Sequence, residues 1–206
     1  GISREFNPAI SVNGLFTGLY RTDDDPGEEA DTHAHSPQDE TGFHVQEVEV
    51  RLTANVDHLL KADLLFAFPG GEGVELEEGF VTTQALPGGL ALRAGRIFAR
   101  FGRHNLLHAH QFPFLDAPLV HNHLLGDEGL AETGLSLSWL TPLPWFVEIT
   151  GEVLNGDHER FDSPEGEDLL YLANARSFFE FGSTATLEWG GSVATGNNAL
   201  EESSSL

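Results

Sequence analysis

The chain has 206 residues and a formal charge of −23, from 10 basic and 33 acidic side chains, and it contains neither cysteine nor methionine. This negative charge opposes binding to nucleic acid, because the phosphates would be repelled. The lack of cysteine excludes disulfides, thiolate metal sites and cysteine nucleophiles.

Alternating apolar and polar residues predict a chain built from strands. From Val48 to Val56 every second residue is apolar, as a strand with one apolar and one polar face requires. The same pattern, with varying regularity, predicts nine strands and no helix, at residues 10–20, 48–56, 60–68, 74–85, 90–101, 131–139, 145–153, 169–181 and 185–193. We therefore expect an all-β protein.

The predicted connections between these strands alternate in length. Residues 21–42 form a long polar stretch, residues 57–58 barely separate two strands, and long and short connections continue to alternate towards the C-terminus. In an antiparallel up-and-down sheet, alternate connections lie at opposite ends, so one end receives tight turns and the other receives loops. Outer-membrane barrels have this arrangement and also carry aromatic residues at strand ends. Here such aromatics are Tyr20, Phe68, Phe101, Trp139, Trp145 and Phe181.

These patterns favour an antiparallel up-and-down transmembrane β-barrel. The alternative is a sandwich or jelly roll in water, in which the polar face meets solvent and the apolar face packs against a second sheet. Such proteins do not usually sort their loop lengths so regularly, so the barrel is the preferred interpretation.

Four segments also resemble porin-like outer-membrane proteins of Gram-negative bacteria. They are residues 7–12 (NPAISV), 85–90 (ALPGGL), 101–105 (FGRHN) and 134–148 (GLSLSWLTPLPWFVE). The resemblance covers most of residues 7–156, in loose strand-and-turn patterns. It implies a barrel in the bacterial outer membrane and implies no defined activity.

The number of strands affects the expected domain boundaries. Single-chain bacterial barrels have an even number of strands, whereas nine are predicted here, with no aromatic strand at the end of the chain. We expect residues 1–206 to form a single β-barrel domain that is incomplete at its C-terminus.

If the apolar faces meet lipid, the polar faces line the lumen. The arginines of the fifth predicted strand are unevenly spaced, so we expect a bulge near Gly95 and Arg96 that keeps them lumenal. Rings of charge select ions in pores, although charge pairs that only brace the wall are an alternative. The predicted pore-lining residues are Arg93, Arg96, Arg100, Glu47, Glu49, Arg51, Glu132, Glu148 and Glu152.

Histidine pairs are the second feature that suggests chemistry. In an extended chain, two histidines separated by one residue point the same way and can share one Zn²⁺ or Cu²⁺ ion. The candidate ligands are His108, His110, His121 and His123, with Asp116 or Asp127 nearby and a further pair at His33 and His35. Solvated histidines, or histidines paired with carboxylates, are the alternative.

The acidic residues 23–31 lack the ligand pattern of an EF-hand and favour an acidic loop.

The long loop at residues 102–128 is too apolar for a fully solvated loop. Its apolar residues are Phe112, Pro113, Phe114, Leu115, Pro118, Leu119 and Val120. We expect it to fold back into the barrel mouth as a constriction, and an exposed interaction patch is the alternative.

The sequence thus predicts a porin-like barrel in the outer-membrane lipid that passes small hydrophilic solutes or ions. No nucleophile elbow or phosphate-binding loop is present, so no enzyme activity is predicted. Two alternatives stay open. One is a scaffold barrel that docks or sheathes a protein partner or a second copy, and the other is a histidine-rich metal-binding protein that takes Zn or Cu.

Overall fold

The computed structural model describes residues 7–20, 41–70, 73–114, 117–126, 128–158, 161, 169–197 and 203–205, the last by backbone alone. The histidine pair at residues 33–35, the acidic residues 23–31, Leu115, Asp116 and Asp127 lie outside this part of the chain.

The described residues form one antiparallel sheet in which each strand pairs with its neighbours in sequence. This confirms the all-β, up-and-down prediction, and all nine predicted strands are present. The sheet is open, with the first and last strands at its edges. The strands are β1 (Ala9–Leu19), β2 (Gly42–Asn55), β3 (Leu60–Pro69), β4 (Glu75–Thr83), β5 (Leu90–Phe98), β6 (Ala131–Leu140), β7 (Phe146–Leu154), β8 (Leu170–Phe181), β9 (Ala185–Asn197) and the short β10 (Ser203–Ser205).

The strand bounds reproduce the predicted alternation of connections. Short connections at residues 56–59, 84–89, 141–145 and 182–184 lie at one end of the sheet. The longer connections, between β1 and β2, β3 and β4, β5 and β6, and β7 and β8, leave and re-enter the sheet at the opposite end. This arrangement follows from antiparallel pairing of sequential strands.

The prediction that the chain has no helix is wrong, because a short helix, α1 (Leu119–Leu125), lies between β5 and β6. Pro118 precedes it, and Gly126 follows it at φ 74° and donates its N–H to the Asn122 carbonyl at 2.9 Å. Proline before a helix and glycine after it are ordinary boundary residues. Among the described residues, no helix combines the length and hydropathy needed to cross a membrane.

Residues 99–130, here called the crossing segment, lie across one face of the sheet. Near its start, Gly102 donates its N–H to Ser192 Oγ of β9 at 2.8 Å. Further along, its 3₁₀ turn Ala109–Gln111 contacts β1. The face that it covers is called the covered face, and the other is called the open face.

The reach of the crossing segment shows that the sheet is curved. In a flat sheet, β1 and β9 would lie about 38 Å apart at the usual strand spacing. The chain from Gly102 to Gln111 extends at most about 32 Å, and its two 3₁₀ turns shorten that reach further. The covered face is therefore concave.

Asn105 joins the two ends of the crossing segment. Its buried side chain donates from Nδ2 to the carbonyls of Ala99 at 2.7 Å and Leu130 at 3.0 Å. Its Oδ1 accepts the Leu130 N–H at 2.7 Å. Gly129, at φ 70°, leaves room for this amide, because a Cβ there would lie 2.7 Å from Asn105 Oδ1.

An apolar cluster anchors the crossing segment near the end of the sheet that carries the long connections. It joins Ile97 and Ala99 with Leu125 and Leu130, and it continues across β7, β8 and β9. Three of the apolar residues that suggested a folded-back loop lie outside this cluster, since Phe114, Leu119 and Val120 are 64–78% exposed. The segment does fold back onto the sheet, held by this cluster at its two ends and by the contacts of His108 and His110 with β4 and β2.

Extra residues are present in β2 and β4 rather than in β5. The pairing register shifts at Gln46 in β2 and at Glu77 in β4, which is how a β-bulge appears. The bulge predicted near Gly95 and Arg96 is wrong, because β5 pairs with β6 without interruption from Leu90 to Phe98. Gly95 adopts φ 135° without adding a residue, and a Cβ there would lie 2.2 Å from the Gly79 carbonyl oxygen.

Candidate functional site

The two faces of the sheet have opposite polarity. On the covered face, Glu49, Glu132 and Glu152 are 1–2% exposed. On the open face, Val12 is 64% exposed and Trp189 is 57% exposed. Other exposed apolar side chains of the open face are Ile10, Phe16, Phe43, Leu64, Val81, Leu135, Leu137, Ile149, Val153, Tyr171, Leu187 and Val193. The covered face thus encloses several carboxylates together with the apolar cluster, and the open face presents mainly apolar side chains outward.

The strand register places most of the predicted pore-lining residues on the covered face. They are Glu47, Glu49, Arg51, Arg93, Glu132, Glu148 and Glu152. Arg100 follows β5 and contacts Glu148 on the same face. The prediction for Arg96 is wrong. Arg96 pairs with Thr133 and Gly79, so the strand register places it on the face opposite to Arg93. Its Nε donates to the Leu76 carbonyl at 3.1 Å.

A carboxylate–histidine cluster lies where the crossing segment meets β2 and β4. It consists of Glu47, Glu49, Glu77, Glu78, His108 and His110. His108 Nδ1 lies 3.3 Å from Glu77 Oε2, and His108 Nε2 lies 3.5 Å from Glu78 Oε2. His110 Nδ1 lies 2.9 Å from Glu49 Oε1. The two imidazole rings stack with centroids 6.0 Å apart.

Local structure explains how these side chains meet. His108 is the N-cap residue of the 3₁₀ turn, where its N–H donates to Gln111 Oε1 at 3.2 Å and its carbonyl accepts the Gln111 N–H at 2.8 Å. The β4 bulge allows consecutive carboxylates, Glu77 and Glu78, to approach the same ring, although alternation would direct them to opposite faces. The ring of Phe98 contacts His108 edge-on at 5.3 Å.

The protonation of His108 reflects its surroundings. Burial by itself lowers the pKa of His108, but the carboxylates of Glu77 and Glu78 outweigh burial and raise the pKa to about 10. An opposite charge within about 4–6 Å favours the charged form. The cluster is therefore an environment that stabilises positive charge.

A second group of charges braces the sheet beyond β6. The Glu148 carboxylate pairs with the guanidinium groups of both Arg100 and Arg176. Glu152 accepts the Arg100 backbone N–H at 2.9 Å and the Ser136 hydroxyl at 2.7 Å. In this region the structure matches the bracing alternative, because these charges bind one another.

Glu132 holds the start of the connection between β7 and β8. Its carboxylate accepts backbone N–H groups from Gly156 and Asp157, each at 3.1 Å, and from His158 at 2.6 Å. An almost fully buried carboxylate thus satisfies three donors of one turn. This contact makes Glu132 a structural residue as well as a member of the covered face.

The structure does not bring the four histidines predicted as metal ligands together. His121 and His123 lie in α1, where residues two apart project about 200° apart around the axis, so the assumption of an extended chain is wrong for this pair. His121 stands 5.1 Å from the His104 ring, and its pKa is lowered by burial and by the His104 charge. A group that does converge is Glu49, Glu77 and His108, whose ligand atoms lie within 4.8 Å of one another.

Sequence reasoning missed the contact between Glu78 and His108 and the role of Asn105. A bulge leaves no clear mark on an alternating pattern, so the approach of Glu77 and Glu78 to one ring was not visible. For Asn105 no sequence signal existed, since its partners are backbone groups distant in sequence.

Comparison with known proteins gives one relative of unassigned function. An uncharacterized protein of Aquifex aeolicus (strain VF5) is 34% identical over 170 residues, which cover 75% of this chain and 36% of that protein. The chain thus spans about a third of the length of the relative that it matches. No family model and no solved structure matches the chain.

Proposed function

We propose that the chain forms wall strands of a porin-like β-barrel in the bacterial outer membrane that passes small hydrophilic solutes or ions. The observation that carries the proposal is the distribution of side chains on the sheet, in which carboxylates are buried and apolar side chains are exposed, the opposite of a sheet in water. Carboxylates of the covered face, among them Glu49, Glu132 and Glu152, are buried, while large apolar side chains of the open face are exposed on every strand from β1 to β9.

This polarity is unfavourable in water and favourable in lipid. Exposing a Val, Leu or Ile side chain to water forgoes about 1.5–3 kcal/mol of burial, and apolar patches of this extent mark contact with a membrane or another protein. In outer-membrane barrels, strands alternate apolar side chains towards lipid with polar side chains towards the lumen. The open face has the composition of such a lipid-facing surface.

Aromatic residues at the end with the short connections support the same proposal. Trp139, Trp145 and Phe181 lie at or beside the connections at residues 141–145 and 182–184, and they are 41–59% exposed. Trp139 Nε1 donates to the Gly88 carbonyl of another short connection at 3.1 Å. Rings of this kind belong at membrane interfaces, where an apolar body meets lipid and a polar tip meets water.

The crossing segment is the narrowing element in this proposal. It lies on the concave side of the sheet and contacts strands from β1 to β9. A cavity of about 370 Å³ remains beside it, with Arg100, Arg103, Arg176, Glu188 and Asn174 among its lining residues. The strand edges β1 and β10 are available to pair with further strands, as a closed barrel in lipid requires.

Ion conductance of the full-length natural protein in a planar bilayer tests this function. We expect stepwise conductance with preference for cations, because carboxylates outnumber cationic side chains among the buried residues of the covered face. The measurement is the reversal potential in a salt gradient. Protein that inserts into the bilayer without conducting would contradict the role in solute passage.

A second candidate is a barrel that docks a partner protein. Its support is the exposed apolar surface of the crossing segment at Phe114, Leu119 and Val120, which the sheet does not cover. Insertion without conductance, together with a stoichiometric partner in detergent extracts, would favour this function over solute passage.

A further inference from the structure

We propose that Glu49, Glu77 and His108 bind a divalent transition-metal ion, Zn²⁺ by its ligand chemistry, and thereby tie the crossing segment to β2 and β4. This site differs from the histidine-only set predicted from sequence and does not depend on a membrane location. It draws its ligands from three separate elements, namely β2, the bulge of β4 and the 3₁₀ turn.

The spacing of the donor atoms fits one ion. The ligand atoms of Glu49, Glu77 and His108 all lie within 4.8 Å of one another. In a tetrahedral zinc site with bonds of about 2.0–2.2 Å, neighbouring ligand atoms are about 3.5 Å apart. Small rotations of the two glutamate side chains would therefore complete the coordination.

One ligand atom at this place has no hydrogen-bond partner among the described residues, and the other two contact each other. Glu49 Oε2 is without a partner, whereas His108 Nδ1 and Glu77 Oε2 lie 3.3 Å apart as an ion pair. Glu49 is 2% exposed and His108 is 8% exposed, so these groups are largely removed from water. Buried polar atoms are normally satisfied. One cation placed between the three would satisfy Glu49 Oε2 and would replace the His108 proton that faces Glu77, since metal ligands bind in their deprotonated form.

The surrounding residues fit an outer shell of such a site. With Nδ1 of His108 directed at the ion, its Nε2 faces Glu78 at 3.5 Å, which is the carboxylate–histidine arrangement that orients metal-binding imidazoles. His110 contacts the second oxygen of Glu49 at 2.9 Å. Each proposed ligand except Glu77 thus has a neighbour that fixes its orientation.

The donor set selects the class of metal. One imidazole nitrogen with two carboxylates supplies three protein ligands of the types that zinc accepts, the number found in zinc sites that keep a fourth position for water, whereas Ca²⁺ and Mg²⁺ favour sites made of oxygen alone. A cavity of about 560 Å³ borders the cluster and is lined by Glu47, Glu77 and His108 among others, so an ion can reach the site.

Competition of the full-length protein with a fluorescent zinc indicator tests the proposal. We expect one tightly bound Zn²⁺, whose affinity falls about 10- to 100-fold in Glu77→Gln. Glu77 is a suitable position because its side chain is 20% exposed and the amide oxygen of a glutamine can keep the contact with His108 Nδ1 at 3.3 Å. Matched controls are Glu180→Gln, an exposed residue of β8, and the double variant His121→Gln/His123→Gln, and all of them should retain wild-type affinity.

X-ray absorption of the zinc-loaded wild-type protein gives a second readout that needs no variant. We expect oxygen and nitrogen ligands with one imidazole. Two or more imidazoles at the ion, unchanged affinity in Glu77→Gln, or a loss in the His121/His123 variant would overturn the proposal. Absence of tight zinc binding by the wild-type protein would overturn it as well.

Discussion

Leu135→Arg should destabilise the folded protein in lipid by about 2–4 kcal/mol, the range for a cation near the bilayer midplane on the outside of a barrel. Leu135 lies midway along β6 on the open face, is 52% exposed and pairs with Ala94 and Val153. An arginine there would place its charge in hydrocarbon.

Leu143→Arg is the matched control for this substitution. Leu143 is 47% exposed, nearly the same fraction, but it lies in the short connection between β6 and β7. At such a position we expect a change of no more than about 0.5 kcal/mol, as for most surface substitutions. The measurement is urea unfolding of protein reconstituted in lipid vesicles.

The pair of variants separates two accounts of the open face. If that face met water, an arginine at either leucine would be tolerated equally. Equal and small effects of both substitutions would therefore contradict a lipid-facing sheet, whereas a selective effect at Leu135 would support it.

Glu132→Ala should lower the free energy of unfolding by about 3–5 kcal/mol, because three backbone N–H groups lose their charged acceptor at a buried site. Those groups belong to Gly156, Asp157 and His158. The loss should appear first as local opening of the turn after β7, measured by amide hydrogen exchange.

Two further variants are compared with Glu132→Ala, one with a milder change at the same site and one at an exposed carboxylate. Glu132→Gln retains one acceptor oxygen and should cost about 1–2 kcal/mol. Glu128→Ala removes an exposed carboxylate of the crossing segment and should have almost no effect. A loss in Glu132→Ala no larger than in Glu128→Ala would show that the three hydrogen bonds do not hold the turn.

Much of the sheet could be predicted because alternation is a local property of the sequence. Residues 48–56 and 131–139 read as strands without knowledge of their neighbours, and antiparallel order followed from the lengths of the connections. The same alternation assigned Glu49, Glu132 and Glu152 to one face, because side chains of a strand alternate strictly between faces.

The parts that failed depend on contacts distant in sequence. The bulges at Gln46 and Glu77 lie where the pairing register between neighbouring strands shifts. The sequence of a single strand does not encode this register. α1 has only 7 residues and depends on its place in the crossing segment, since isolated helices of that length are unstable. The metal prediction chose histidines by spacing and missed Glu77, which joins His108 only through the β4 bulge.

The open face itself offers the most direct test of the account, because a chain without cysteine permits single-site labelling. Spin labels at Ile149→Cys and Val193→Cys would report on the open face, and Ser183→Cys would report on a short connection. In vesicles, we expect the open-face labels to collide mainly with dissolved oxygen and the Ser183 label mainly with a water-soluble nickel chelate. Strong collision of the chelate with the labels at Ile149 and Val193 would contradict a lipid-facing sheet.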